Sequence, residues 1–275
     1  MADSPLTTLN NGIQIPQLGF GVWRVSNEDS IPAVTKALEV GYRHIDTAAL
    51  YRNEEGVGQA IRASGVPREE IFVTTKLWPT GFGRETALAG FEASLKRLDM
   101  EYVDLFLLHW PAPGRDLYVE TWQALQKLLA DDRVRALGVS NFAAAHLRRL
   151  VDGTDTTPVL NQVELHPTLT QADLRETHRE LGIATEAWSP LGQSEDLRHP
   201  TIRQIAARVG RTPAQVVIRW HLQAGNVVIP KSTTPARIEE NVDVFGFELS
   251  PEDVEAIEAL DAGNRLGPDP EHFDG

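Results

Sequence analysis

The sequence of 275 residues is 41% hydrophobic and 24% charged, an ordinary globular composition that excludes a disordered or collagen-like chain. Its 26 basic and 39 acidic side chains give a net charge of −13, which would repel nucleic acids and anionic membranes, so an anionic ligand needs a local basic site. The absence of cysteine excludes a disulfide scaffold, a zinc–thiolate site and a cysteine nucleophile.

The N-terminal segment has no basic stretch followed by an apolar one, and no run approaches the roughly 18 apolar residues of a membrane helix. No flexible linker or low-complexity segment divides the sequence. We therefore expect a single domain over residues 1–275, located in the cytoplasm, with neither a nucleic-acid nor a membrane partner.

The predicted elements begin with a β-hairpin. Asn11 and Gly12 stand between two short alternating runs within residues 6–16, a pattern typical of a tight hairpin turn. Short apolar or β-branched runs then alternate with longer amphipathic patterns. The strands predicted from these runs cover residues 18–22, 42–47, 71–77, 103–110, 136–140, 159–165, 183–188 and 226–230.

Helix starts support this alternation. Thr212, Thr234 and Ser250 each precede a proline and an amphipathic run, which predicts a hydroxyl cap with proline at the first helical position. Eight strands alternating with helices predict an α/β fold, a (β/α)8 TIM barrel with the N-terminal β-hairpin as a plug. A doubly wound dinucleotide-binding domain is disfavoured because Gly19 and Gly21 are not followed by the third glycine of G-x-G-x-x-G.

Barrel enzymes carry their active sites at the carboxyl ends of the strands, where this sequence places Asp46, Tyr51, Lys76 and His109. A nearby lysine lowers the pKa of a tyrosine, and a buried carboxylate keeps that lysine charged. A histidine could add a second hydrogen bond to a carbonyl oxygen that gains negative charge during hydride attack. The set predicts carbonyl reduction, with Tyr51 as the proton donor.

Five segments resemble signature sequences of the aldo-keto reductase family. Their pattern is most similar to that of the bacterial 2,5-diketo-D-gluconate reductases. The five segments are residues 41–58, 98–111, 138–142, 161–167 and 229–241. The resemblance implies NADPH-dependent reduction of aldehydes and ketones, with Asp46, Tyr51, Lys76 and His109 as the catalytic tetrad. We expect the protein to be a monomer.

The resemblance also implies a cofactor site. For the nicotinamide it points to Ser140, Asn141, Gln162 and Trp188, and for the pyrophosphate to Gly21, Val22, Trp23, Ser189, Leu191, Gly192 and Gln193. For the adenosine end it points to Lys231, Ser232, Arg237, Glu240 and Asn241. Two cations at a helix start favour the 2′-phosphate of NADPH, with NADH as a weaker possibility. Some diketogluconate reductases have Arg at the position of Thr234, so the grip on the phosphate is expected to be weaker here.

An aromatic wall made of Trp23, Trp78 and Trp110, with Leu50 beside it, is expected to contact the substrate. The short tail, residues 264–275, is expected to leave the site open, although the resemblance implies that Phe273 can fold over the pocket. Such a site suits small aldehydes, dicarbonyls, keto sugars and keto esters.

Other interpretations remain open at this point. A metal-dependent TIM-barrel hydrolase would use His44, Asp46 and His109 with Glu164 and His166 as ligands, but it leaves Tyr51 and Lys76 unexplained. A barrel that senses NADPH without turnover is a third possibility. Several of these residues could instead have a purely structural role. Asp46 and Lys76 could form a buried ion pair, and Lys231 and Arg237 could be ordinary surface charges. Trp188 could be a core aromatic residue, and Ser140 and Asn141 could form the N-cap of a helix that starts at Phe142.

Overall fold

The computed structural model describes residues 4–275, so the first three residues of the predicted domain lie outside the described part. It contains ten strands and ten α-helices among these residues. The strands are β1 Leu6–Thr8, β2 Gln14–Pro16, β3 Phe20–Gly21, β4 His44–Asp46, β5 Phe72–Leu77, β6 Val103–Leu108, β7 Val134–Ser140, β8 Leu160–Glu164, β9 Ala184–Trp188 and β10 Val227–Val228. The helices are α1 Asn27–Glu39, α2 Glu54–Ala63, α3 Arg84–Leu98, α4 Tyr118–Ala130, α5 Ala144–Asp152, α6 Ala172–Leu181, α7 Pro200–Val209, α8 Pro213–Gln223, α9 Pro235–Val242 and α10 Pro251–Glu258.

Strands β3 to β10 form one parallel sheet in which each strand pairs with the next along the chain. A bridge between Leu18 and Val228, with the Gly19 N–H donating to the Val228 carbonyl at 2.9 Å, joins the two ends of the sheet. All eight predicted barrel strands overlap an observed one, and helices follow each strand. The predicted (β/α)8 TIM barrel is confirmed.

The N-terminal hairpin covers the end of the barrel at which the strands begin. Strands β1 and β2 pair antiparallel, and Gly12 in their connection has φ +84°, a conformation that favours glycine. Leu9 and Ile15 are buried in one cluster with Phe72 and Leu105 from the barrel interior. Burying these apolar side chains together stabilises the hairpin against the strands, which confirms the predicted plug.

Two of the three predicted helix caps are present. The hydroxyls of Thr212 and Ser250 each accept a hydrogen bond from the third residue of α8 and α10, and both ends form capping boxes. The prediction that Thr234 caps α9 is wrong, because its hydroxyl accepts no hydrogen bond from the helix. The hydroxyl of Ser232 instead accepts the Thr234 N–H at 3.1 Å, within the turn that leads into α9.

The barrel strands are largely buried on both faces. One set of apolar side chains packs against the surrounding helices, and a second set, which includes Leu105, Leu107 and Leu160, fills the barrel interior. The contact between α2 and α3 is especially close, since a Cβ added at Gly58 would lie 2.0 Å from the carbonyl oxygen of Leu98. Among the described helices, none combines the length and apolar character that crossing a membrane requires.

Candidate active site

A cavity of about 590 Å³ opens at the carboxyl ends of the barrel strands. Most of the site residues predicted from the sequence line it. They are Gly21, Trp23, Asp46, Leu50, Tyr51, Trp78, His109, Trp110, Ser140, Asn141, Gln162, Trp188, Ser189, Leu191, Gln193 and Lys231. Lys76 lies directly beneath the cavity floor and is fully buried. The structure therefore brings the four predicted catalytic residues together.

Lys76 on β5 connects the other charged and phenolic groups of the floor. Its Nζ donates to Asp46 Oδ1 at 2.6 Å and to the Thr47 carbonyl at 2.9 Å, and it lies 3.5 Å from the Tyr51 hydroxyl oxygen. Asp46 ends β4, and Tyr51 follows in the 3-10 turn Ala49–Tyr51, so one short segment presents both groups to the lysine.

His109 follows β6 and lies across the cavity floor from Tyr51. The two ring centroids are 5.6 Å apart in an edge-on arrangement, and the ring centroid of Trp78 lies 5.1 Å from that of the imidazole, also edge-on. Burial, together with the charge of Lys76, holds the pKa of His109 well below its usual 6.5. At neutral pH this histidine is a neutral imidazole, able to donate one ring N–H.

The pKa of Tyr51 moves in the direction opposite to the sequence-based expectation. Desolvation at the cavity floor raises the pKa of Tyr51 above 10.0, and the lowering by Lys76 offsets only part of this rise. Burial would lower the pKa of Lys76, but Asp46 and Tyr51 raise it, so the ammonium stays charged. Burial raises the pKa of Asp46, with Lys76 and Gln162 opposing the rise. Tyr51 is thus a protonated phenol beside a fixed cation.

Glu186 on β9 is a buried carboxyl group that the sequence analysis did not assign to the site. The side-chain amide of Gln162 donates to Asp46 Oδ2 at 2.8 Å and to Glu186 Oε2 at 2.7 Å. Burial, and secondly the charge of Asp46, raise the pKa of Glu186 to about 8. A glutamate in the middle of an otherwise buried strand was the available signal in the sequence.

The proposed metal ligands do not assemble. The Nε2 atom of His44 is hydrogen-bonded to Thr74 at 3.1 Å, and both carboxylate oxygens of Asp46 are occupied by Lys76 and Gln162. Within residues 4–275, no three His, Cys, Asp or Glu side chains are grouped so that they could hold a metal ion. The geometry does not support the hydrolase alternative.

The predicted nicotinamide site is held by hydrogen bonds between its own members. Ser140 Oγ donates to the Gln162 carbonyl at 2.9 Å, Asn141 Nδ2 donates to the His109 carbonyl at 3.0 Å, and Trp188 Nε1 donates to Asn141 Oδ1 at 2.8 Å. Helix α5 begins only at Ala144, with Ala143 as its N-cap, so the alternative in which Ser140 and Asn141 cap a helix is wrong.

Residues expected at the pyrophosphate divide into two groups. Ser189, Leu191 and Gln193 line the cavity after β9, whereas Gly192 is buried beside Asp196 with φ +54°. Val22 is placed in the hydrophobic core rather than in the cavity lining, and its N–H donates to the Asp46 carbonyl at 3.2 Å. Arg24, which is not among the predicted site residues, lines the cavity with its guanidinium carbon 4.2 Å from the centre of the Trp23 ring.

The residues expected at the adenosine end lie beside the cavity at α9. Lys231 and Arg237 are both exposed, while Ser232 and Asn241 are buried. The acidic neighbours on α9 are paired elsewhere, because Glu239 contacts Lys36 and Glu240 accepts the Thr212 hydroxyl at 2.7 Å. The two cations are therefore available to an anion.

The C-terminal tail packs against the aromatic wall and covers one side of the cavity. The ring centroid of Phe273 lies 5.9 Å from that of Trp78 and 4.6 Å from that of Trp110. Tail residues Leu266, Gly267 and Pro268 also line the cavity. The expectation of a site left open by a short tail is therefore wrong on this side. Leu50, 42% exposed, lies at the cavity rim.

Comparison with known proteins gives consistent matches. A family model described as the aldo/keto reductase family matches residues 17–262. The methylglyoxal reductase DkgA of Escherichia coli (strain K12) is 50% identical over 278 residues, covering 100% of both chains. The crystal structure of an aldo/keto reductase from Brucella melitensis is 53% identical, with a TM-score of 0.91, and the match covers 94% of this chain and 100% of the other. A Gox0644 mutant solved in complex with NADPH is 46% identical with a TM-score of 0.94, covering 98% of each chain.

Proposed function

The chain belongs to the aldo/keto reductase family, and we propose that it is an oxidoreductase that uses NADPH to reduce aldehyde and ketone carbonyls to alcohols. The observation that carries the proposal is the position of Lys76 at the cavity floor, 2.6 Å from Asp46 and 3.5 Å from the Tyr51 hydroxyl. If Asp46 and Lys76 formed only a structural ion pair, there would be no reason for a tyrosine hydroxyl to stand beside the lysine at the cavity surface.

The cavity fits a dinucleotide with an extra phosphate. The exposed cations Lys231 and Arg237 stand near the start of α9 on a chain of net charge −13, which favours a local anion. The indole of Trp188 offers a flat face at the cavity, fixed by its hydrogen bond to Asn141. NADPH, when bound, supplies the hydride. NADH lacks the 2′-phosphate and is expected to bind more weakly.

Two donors would stabilise the substrate oxygen. His109, as a neutral imidazole, donates an N–H to the carbonyl oxygen, and the Tyr51 hydroxyl donates to the same atom. As negative charge develops on that oxygen, Tyr51 transfers its proton, and the phenolate left behind is stabilised by the Lys76 ammonium. Asp46 and the Thr47 carbonyl hold the ammonium in place.

We infer that the substrates are small carbonyl compounds, with dicarbonyls first and keto sugars and keto esters as further candidates. Trp78, Trp110 and Phe273 form an aromatic surface that limits size on one side of the cavity. The relative DkgA is named a methylglyoxal reductase, which makes methylglyoxal the first compound to assay.

Replacing Tyr51 with Phe tests the proposal. NADPH binding, measured by quenching of tryptophan fluorescence, should persist, while methylglyoxal reduction should fall by about 10²–10⁴-fold because the proton donor is lost. Tyr102→Phe removes a phenolic hydroxyl outside the cavity lining and should leave the rate unchanged. Turnover retained by Tyr51→Phe would rule out Tyr51 as the acid.

A further inference from the structure

Hydrogen bonds attach the C-terminal tail to the barrel near both ends of the tail. At its start, the Asn264 N–H donates to the Thr168 carbonyl at 3.0 Å in the loop after β8. At its end, Asp274 Oδ1 accepts the Gly114 N–H at 2.8 Å in the loop after β6. Between these points Leu266, Gly267, Pro268 and Phe273 line the active-site cavity, so the position of the tail determines the width of the cavity on this side.

Glu164, the last residue of β8, holds the tail where it enters the cavity lining. This carboxylate is completely buried. Its Oε1 accepts the Leu266 N–H at 2.6 Å, and its Oε2 accepts the Gly267 N–H at 2.9 Å. Because two consecutive backbone N–H groups bind the two oxygens of one carboxylate, both the position and the orientation of this segment are fixed relative to β8.

A buried carboxylate requires compensation, and His166 provides it. The imidazole Nε2 lies 3.1 Å from Glu164 Oε1, and Nδ1 lies 2.8 Å from Asp196 Oδ2. Burial would lower the pKa of His166, but the hydrogen bonds to Asp196 and Glu164 raise it to about 9. The histidine is therefore a cation between two carboxylates at neutral pH, and Glu164 remains ionised and oriented.

The same segment packs directly on the predicted cofactor platform. A Cβ added at Gly267 would lie 2.6 Å from Cη2 of Trp188 and 3.0 Å from Glu164 Oε2, so only glycine fits without a shift. Glu164 and Trp188 are register partners on β8 and β9, which places their side chains on the same face of the sheet. The carboxylate, the tail backbone and the indole form one continuous packed unit.

We propose that Glu164 is a positioning residue that makes the enzyme select carbonyl substrates by size, because its hydrogen bonds to Leu266 and Gly267 hold this part of the tail beside Trp188. This inference rests on the proposed carbonyl reduction. Residues in the cavity lining contact the substrate, whereas Glu164 acts on them through the tail.

Glu164→Gln tests the proposal, since an amide offers one acceptor oxygen and places a donor against a backbone N–H. We expect the kcat/KM for phenylglyoxal relative to methylglyoxal to rise about tenfold, the size of a lost apolar contact, mainly through KM. Hydrogen exchange at the amides of Leu266 and Gly267 should accelerate by at least about tenfold, because one of the two amides loses its acceptor and faces a donor instead. The Kd for NADPH should stay within about twofold, because Trp188 keeps its bond to Asn141.

Two further variants separate specificity from stability. Gly267→Ala keeps both Glu164 and His166, but its new Cβ pushes the tail away from Trp188 and from Glu164 Oε2, so it should shift the substrate ratio in the same direction. Glu176→Gln makes the same carboxylate-to-amide change on the exposed face of α6 and should change neither readout.

Faster tail exchange with an unchanged substrate ratio would show that the contact is only structural and would overturn the proposal, as would unchanged exchange in Glu164→Gln. If the wild type reduced neither dicarbonyl, the proposed function would fail. The ratio of dissociation constants for the two compounds, followed by tryptophan fluorescence, would still decide whether Glu164 sets the preference for size.

Discussion

The Nζ of Lys76 lies 3.5 Å from the hydroxyl oxygen of Tyr51, and the lysine is completely buried while the tyrosine reaches the cavity. The ammonium is also bonded to Asp46 at 2.6 Å, so its charge is fixed in place beneath the phenol. Desolvation keeps Tyr51 protonated, and the cation stabilises the phenolate that forms when the proton leaves. The arrangement favours proton donation over permanent ionisation of the tyrosine.

Replacing Lys76 with Met should damage both stability and activity. The change leaves the Asp46 carboxylate buried without its cation, so the free energy of unfolding should fall by about 3–5 kcal/mol. Urea denaturation measures this loss, and NADPH oxidation with methylglyoxal measures the loss of turnover.

The double variant Lys76→Met/Asp46→Asn separates these two effects. Removing the stranded charge should restore most of the lost free energy of unfolding, while reduction stays absent because no cation faces Tyr51. A double variant that regained turnover would show that Lys76 has only a structural role.

Arg237→Ala should weaken the binding of NADPH far more than that of NADH. Arg237 is exposed on α9, whose nearby carboxylate Glu239 is paired with Lys36, so its guanidinium is available to the 2′-phosphate. Loss of one charge-assisted hydrogen bond corresponds to about a tenfold or greater rise in KM for NADPH. Arg203→Ala, on the exposed face of α7, removes the same charge away from α9 and serves as the control. Equal effects on the two cofactors would place the 2′-phosphate elsewhere.

The barrel could be predicted because its signals are local. Each strand is a short apolar run, and the hairpin is marked by Asn11 and Gly12 at its turn. The convergence of Asp46 and Lys76 followed from the rule that parallel strands end at one face. These patterns depend on neighbouring residues and on one general property of the fold.

Other features depend on distances between remote parts of the chain. Gln162 joins Asp46 to Glu186 across the barrel interior, which local patterns cannot show. The upward direction of the Tyr51 pKa depends on how deeply the hydroxyl is desolvated relative to its distance from Lys76. The course of the tail follows from its bonds to Glu164, about a hundred positions earlier in the sequence.

Glu186→Gln should change how stability depends on pH. The pKa of this carboxyl group is about 8 in the folded protein, against 4.5 when unperturbed. Between these values the folded state holds a proton that the unfolded state releases, so its contribution is full below pH 4.5 and is lost as pH rises through 8. Glutamine is always neutral and lacks this contribution to the slope, which amounts to about 1.4 kcal/mol per pH unit between the two pKa values.

Urea denaturation of both proteins from pH 5 to about pH 8 checks this difference. The free energy of unfolding of the wild type should decline relative to that of Glu186→Gln over this range. Glu69→Gln, an exposed glutamate, should follow the wild-type curve. Parallel curves for Glu186→Gln and the wild type would mean that Glu186 is ionised in the folded protein at neutral pH.

Gly58→Ala and Gly90→Ala add the same methyl group, which would meet a backbone atom at position 58 and a side-chain atom at position 90. The new Cβ at position 58 would lie 2.0 Å from the Leu98 carbonyl oxygen, so α2 and α3 must separate, and we expect a loss of about 2–3 kcal/mol in the free energy of unfolding. At position 90 the obstacle is the terminal methyl group of Leu77 at 2.7 Å, which can rotate away, while alanine gains about 0.5–1 kcal/mol of helix propensity. Thermal and urea denaturation should therefore place Gly90→Ala within about 1 kcal/mol of the wild type. Equal losses in the two variants would contradict the view that the backbone contact between α2 and α3, rather than side-chain crowding, requires glycine at position 58.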